Sequence, residues 1–131
     1  MERSAVNPVT WSQELGFNQG ELVTGAVRTL FISGQTAMDS GGRPQHDGDV
    51  AAQLRLSLDN VEAVLAEAGM GLADLVRLNV YTTGIDDLVP HYGQLAARFA
   101  AVGVAPTTTM LEVARLAVPG QLVELEGIAV Q

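Results

Sequence analysis

Two carboxylates near the end of the chain are spaced as partners on one strand face. The run Leu122 to Val130 has strand character, and alternate residues of a strand share a face. One face takes Val123, Leu125, Gly127 and Ala129, an apolar set fit for a core. The other takes Leu122, Glu124, Glu126, Ile128 and Val130. There two acids stand in line with large aliphatic residues, so part of this face is expected to be buried. A carboxylate at the margin of an apolar surface is partly desolvated, which raises its pKa and suits it to general acid–base work. The same pattern fits two Glu facing water beside a subunit contact, the commoner situation for Glu. A second candidate is the corner Ser33–Gly34–Gln35, which can present a hydroxyl and a backbone N–H at a pocket edge. Turn preference alone would also select those residues.

Other chemistries find no footing. Cys is absent, which removes disulfides, zinc–thiolate sites and a cysteine nucleophile. The only histidines, His46 and His91, fall in a loop and at a helix start without the spacing of metal ligands. There is no GxSxG elbow and no glycine loop with a phosphate-binding Lys; the chain has no Lys at all. The net charge is −8, and the seven basic residues are arginines scattered along the chain. That balance repels phosphate and argues against nucleic acid as a partner. No apolar run approaches the roughly 20 residues of a membrane helix, and the N-terminus has no export or transit pattern. With the lack of Cys, this points to a cytoplasmic protein.

The elements that must position the carboxylates read as follows. The length of 131 residues suits one domain spanning 1–131, large enough to build a core without staples. Residues 1–19 form a polar arm with Trp11 and Phe17 as its notable apolar members, which either plug a core edge or line a pocket or subunit contact. Glu21 to Gln35 reads as a hairpin closed off by Ser33–Gly34–Gln35. The Gly- and Asp-rich run 39–49 is loop. Asp49 to Gly69 is the clearest helix, with Val50, Leu54, Leu58, Val61 and Leu65 on one stripe. Asp47 or Asp49 is placed to cap its start, and Gly69 to end it. Leu75 to Thr82 alternates as a half-buried strand. Asp86 to Val102 is a second helix, with Leu88, Tyr92, Leu95, Phe99 and Val102 on one face and Pro90 in its first turn. The order is β-β-α-β-α-β-β, with a further N-terminal strand allowed. Strand 76–81, helix 86–102 and strand 107–113 form a right-handed βαβ unit with parallel strands. Two helices against about six strands give an α+β fold with the helices on one face of a mixed sheet. The other sheet face then needs cover, and self-association is the economical source.

Several segments together resemble the RidA/YjgF (Rid) family of enamine and imine deaminases. They are FNQG at 17–20, LFISGQ at 30–35, QLRLSLDNVEAVLAEAG at 53–69, PTTTMLEVARL at 106–116 and VELEGIAV at 123–130. The resemblance runs in order over nearly the whole chain. It implies the chorismate-mutase-like α+β fold and a homotrimer whose sheets form a central barrel with a cleft at each subunit boundary. It also implies hydrolysis of reactive 2-imino or 2-aminoacrylate acids to 2-oxo acids and ammonia, with no cofactor and no metal. The family's acid on the last strand falls on Glu124, and the backbone group that positions the water or the imine nitrogen falls on Met110. Ser33 of the SGQ corner joins the same cleft.

The chain departs from that pattern at the substrate clamp. Where the family reads P-x-R-x-x-V-E-V, this sequence reads Pro106-Thr107-Thr108-Thr109-Met110-Leu111-Glu112-Val113. Thr108 therefore stands where an Arg would grip a substrate carboxylate, and a hydroxyl cannot replace a guanidinium fork. Phe17 takes the place of a tyrosine, and Tyr92 that of a polar, asparagine-like position. Losing a bidentate clamp costs about 2–5 kcal/mol for a carboxylate ligand. Arg28 or Arg115 are the candidates to supply a substitute charge, although Arg115 also suits a structural ion pair. The expected function is hydrolytic deamination of an imine or related substrate, with 2-iminopropanoate disfavoured. The alternative is a metabolite-binding protein that uses the same cleft without turnover.

Overall fold

The computed structural model describes residues 1–131. In chain order it contains β1 (Glu2–Val6), β2 (Gly20–Thr24), β3 (Thr29–Gln35), α1 (Val50–Glu67), β4 (Leu75–Thr82), α2 (Ile85–Leu88), α3 (Gly93–Ala101), β5 (Thr107–Glu112) and β6 (Val123–Val130). The Asp49 carboxylate accepts a 3.0 Å bond from the Ala52 N–H, satisfying one of the orphan donors at the start of α1. Gly69, at φ +70°, takes the left-handed conformation just past its end. The predicted stripe is the buried one: Leu54, Leu58, Val61 and Leu65 are all within 1% of full burial.

The main sheet has the order β3-β6-β4-β5. β4 and β5 are parallel, joined by the helical crossover as the sequence predicts, and the other pairings are antiparallel. Leu54, Leu58, Leu95 and Phe99 from the helices close on Ile32, Leu78, Val80, Leu125 and Ala129 from the sheet. This is an α+β fold with its helices on one side of a mixed sheet. The opposite side carries no helix, and Phe31 there is 75% exposed.

Two expectations are corrected. The stretch 21–35 is not a hairpin. β2 pairs with β1 in a separate two-stranded sheet, and β3 pairs with β6. The backbone N–H groups of Val27 and Arg28 both bond to the Gln131 carbonyl, so the link turns onto the chain's own end. Apolar alternation locates strands but does not name their partners. The second helix is also not continuous. Pro90 lacks an N–H, and the helical ladder gives way to a 3₁₀ turn at Val89–His91 between α2 and α3. Leu88, Leu95 and Phe99 are buried as expected, Tyr92 is half-buried, and Val102 lies beyond the helix and is exposed.

Side chains from α1 and the loop before β6 fix where that strand begins. Buried Gln53 donates from Nε2 to the carbonyls of His46 and Gly120, both at 3.0 Å, and its Oε1 accepts from the Leu122 N–H at 2.7 Å. Buried Gln121 accepts from the Ala37 N–H at 2.8 Å. The segment leading into β6, just ahead of Glu124, is thereby tied both to α1 and to the segment following β3.

Candidate functional site

The predicted site residues fall into two groups. Phe17, Tyr92, Thr108 and Met110 line one cavity of about 500 Å³ at the β5 edge, with Glu14, Leu15 and Val89 at its mouth. Thr108 and Met110 come from β5, Tyr92 from the turn before α3, and Phe17 from the N-terminal arm. The arm reaches α3 because residue 16 is glycine. Its φ is +86°, and a Cβ there would lie 2.9 Å from the Ala96 Cβ. Asn7 and Asn18 bond to each other at 3.0 Å, and the Asn18 N–H donates to the Ala105 carbonyl, pinning the segment that carries Phe17. Trp11 meets the Phe17 ring edge-on at 5.9 Å. It is 59% exposed, so it extends the mouth of the cavity and does not plug the core.

Glu124 and Ser33 form the other group. Ser33 and Gly34 occupy a bulge, since three residue steps on β3 from Ile32 to Gln35 match two on β6. The Glu124 carboxylate lies over that bulge. A Cβ on Gly34 would fall 1.9 Å from its Oε1, so the acid occupies the space that any larger residue would fill. Glu124 is half-buried and has no hydrogen-bond donor or cation from its own chain.

Strand register separates the groups. On β4, Leu78 and Val80 stand opposite Thr108 and Met110 on one side and Gly127 and Leu125 on the other, so these residues share the helix-covered face. Tyr81 stands opposite Glu124, which places Glu124 on the uncovered face. Within one copy the acid and the cavity thus lie on opposite sides of the sheet.

The second carboxylate is already engaged. Glu126 accepts bonds from the Tyr81 hydroxyl and, at 3.0 Å, from Asn79 Nδ2. The Tyr81 bond, then the Asn79 bond, holds the Glu126 carboxyl below the usual carboxylate range, overriding its partial burial. The expected rise for a carboxylate on this face is reversed at Glu126 because the bonds favour the charged form. Tyr81 is pushed up in return, chiefly by the same bond. In the cavity, burial pushes the Tyr92 phenol up, with the Thr108 hydroxyl beside it acting in the opposite sense. The Thr108 hydroxyl itself donates to the Pro106 carbonyl at 2.9 Å.

No cation lines the cavity. Arg28 is committed elsewhere, to the Ala68 carbonyl and the Gln131 side chain. Arg115 is exposed and makes no ion pair within its own chain. Sequence reasoning missed Gly34 as the floor under Glu124 and missed Leu15 and Val89. Gly34 belongs to the SGQ corner. Its contact with a residue 90 positions away left no local signal.

Comparison with known proteins gives the chain a family and structural neighbours. The family model described as endoribonuclease L-PSP matches residues 13–131. The 2-iminobutanoate/2-iminopropanoate deaminase of Escherichia coli is 38% identical over 85 residues, covering 63% of this chain and 65% of that protein. The Rid-family protein YyfB of Yersinia pestis superposes with a TM-score of 0.87 at 32% identity, over 100% of both chains. Escherichia coli TdcF, solved with bound serine, gives a TM-score of 0.71 at 31% identity, over 88% of this chain and 87% of that one.

Proposed function

The chain belongs to the endoribonuclease L-PSP family, the Rid or YjgF proteins, and on that premise we propose that it hydrolyses an imine or enamine at a cleft between copies. Water adds to the imine carbon, the C–N bond breaks, and a carbonyl compound and ammonia leave. Glu124 takes a proton from the attacking water and returns one to the departing nitrogen. Ser33 and the backbone of the bulge hold the water side. Phe17, Tyr92, Thr108 and Met110 of a neighbouring copy hold the substrate.

The observation that carries this reading is the Glu124 carboxylate seated on Gly34, half-buried and free of any donor from its own chain. Glu126, two residues on, shows what an engaged carboxylate looks like on the same face. The separation of acid and cavity in one copy supports a shared cleft. The free edges of the sheet, β3 and β5, lie at its opposite ends, so contact between them is head-to-tail, the kind of interface that forms a ring when its rotation closes. A homotrimer satisfies that geometry and covers Phe31. The name of the Escherichia coli relative and the serine bound to TdcF support a small-molecule metabolite as ligand.

Thr108 in place of a clamp favours one second reading, a binder that holds a metabolite without turning it over. The test is decay of enzymically generated imines, followed by trapping with semicarbazide. Acceleration by wild type that is lost in Glu124→Gln supports the deaminase. Ligand binding without acceleration of any imine supports the binder.

A further inference from the structure

From the lining of the β5-edge cavity we infer that its occupant carries no carboxylate: the pocket is built for the apolar body of an uncharged imine or its carbonyl product. The inference rests on the deaminase reading for the word imine, but the preference for a neutral, apolar ligand stands on the cavity itself.

Charge is the first argument. A carboxylate ligand needs a cation or a set of aligned donors, because leaving it unpaired in a part-buried site is costly. The cavity offers Glu14 as its only charged residue, and the chain has no Lys and a net charge of −8. Six of the seven arginines are held elsewhere. Arg3 bonds to Glu21 and the carbonyls beside β4, and Arg28 to Gln131 and Ala68. Arg43 pairs with Asp39, Arg98 with Asp59 and Glu62, Arg55 bonds to Gln94, and Arg77 bonds to Thr109 on the far face. Arg115 is uncommitted but does not line the cavity.

Shape and surface are the second argument. About 500 Å³ suits a ligand with a ring or a branched chain, and the smallest imino acids would leave most of it empty. Its walls are Leu15, Phe17, Val89, Ala96 and Met110. The mouth continues onto exposed Trp11, Leu15 and Val89. Two hydroxyls, Tyr92 and Thr108, are the polar groups that reach inside. Burial keeps the Tyr92 phenol protonated and able to donate to a carbonyl oxygen or an imine nitrogen.

Trp11, the only tryptophan, stands against Phe17 at the cavity mouth and gives a direct readout. The full-length protein is titrated with a matched pair, phenylacetone and phenylpyruvate, which differ in a methyl against a carboxylate, and with pyruvate. Wild type is expected to bind phenylacetone at least tenfold more tightly than phenylpyruvate, and pyruvate not at all. Thr108→Arg is expected to invert the order for the matched pair, since a guanidinium would supply the missing anchor. The wild-type comparison decides alone should that variant fail to fold. Equal or tighter binding of phenylpyruvate by wild type overturns the inference, as does failure of all three to bind. A phenylpyruvate preference that vanishes in Arg115→Ala overturns it too, and shows that the anchor has only moved. In a second arm, a flavin amine oxidase acting on phenethylamine supplies a neutral imine, and an amino acid oxidase acting on phenylalanine supplies the imino acid. Tight phenylacetone binding without acceleration of either imine would leave the ligand class standing and remove the deaminase reading.

Discussion

At the scale of single residues, two glutamates two positions apart meet different fates. Glu126 is bound by Tyr81 and Asn79, whereas Glu124 rests on a glycine and meets no donor from its own chain. Glu124→Gln is expected to lower imine hydrolysis about 10²–10⁴-fold, the usual share of a general acid–base group, with thermal stability little changed. Gly34→Ala should do similar damage without touching the acid, because the new methyl occupies the place of its carboxylate oxygen. Rates measured beside circular-dichroism melts separate both effects from unfolding. Glu126 gives a different signature. Its pKa is depressed in the folded state, so its stabilisation is present above the ordinary carboxylate pKa and is lost as pH falls through the depressed value. Glu126→Gln should therefore flatten the acid limb of a melting-temperature profile against pH. A variant with the wild-type slope would show that the bonds to Tyr81 and Asn79 carry no such linkage. The sequence displayed this face and both acids, but not which was engaged, since that depends on Asn79 and Tyr81 of a strand that the pattern of β6 does not specify.

At the scale of elements, β4 organises the sheet. It pairs with β5 on one edge and β6 on the other, and its register sorts Thr108, Met110 and Glu124 to their faces. Strand positions, the α1 stripe and the parallel βαβ unit were legible because they rest on local periodicity and short connections. The supposed hairpin was not, because the partner of β2 lies upstream in the arm and that of β3 at the far end of the chain. Pro90 is plain in the sequence, but the local pattern fits it equally to the first turn of one continuous helix. The anchor at Gln53 left no mark in the sequence: a polar residue in the buried stripe reads as an interruption until its three partners are known. Gln53→Ala strands the Leu122 N–H and frees two carbonyls. It is expected to cost about 3 kcal/mol in a denaturant titration, from the usual penalty for unsatisfied buried groups. A loss near zero would mean that β6 does not depend on this anchor.

At the scale of the whole molecule, the uncovered sheet face and the divided site require the same remedy. Phe31 stands three-quarters exposed on the edge strand β3, and Leu111 is half-exposed on the opposite edge strand, β5. Neighbouring copies that cover them would also carry Glu124 towards a cavity it cannot reach alone. Phe31→Asp is expected to convert a trimer to monomers in sedimentation velocity and to abolish hydrolysis together with assembly. A monomeric wild type would remove the shared cleft. The need for cover is readable from the count of elements, two predicted helices, enough for one sheet face, against about six strands. Which residues each copy contributes is not, because the sequence lists Glu124 and Thr108 on neighbouring strands and only the register shows them on opposite faces.

The most direct measurement mixes two inactive proteins. Glu124→Gln lacks the acid, and Ala96→Trp fills the cavity while keeping the acid. They are combined under refolding conditions, and hydrolysis of an enzymically generated neutral imine is followed. If each site takes its acid from one copy and its cavity from the next, the mixture should regain about a quarter of wild-type activity by random head-to-tail pairing. A mixture that forms mixed assemblies by native mass spectrometry yet stays inactive would contradict the shared cleft at its root.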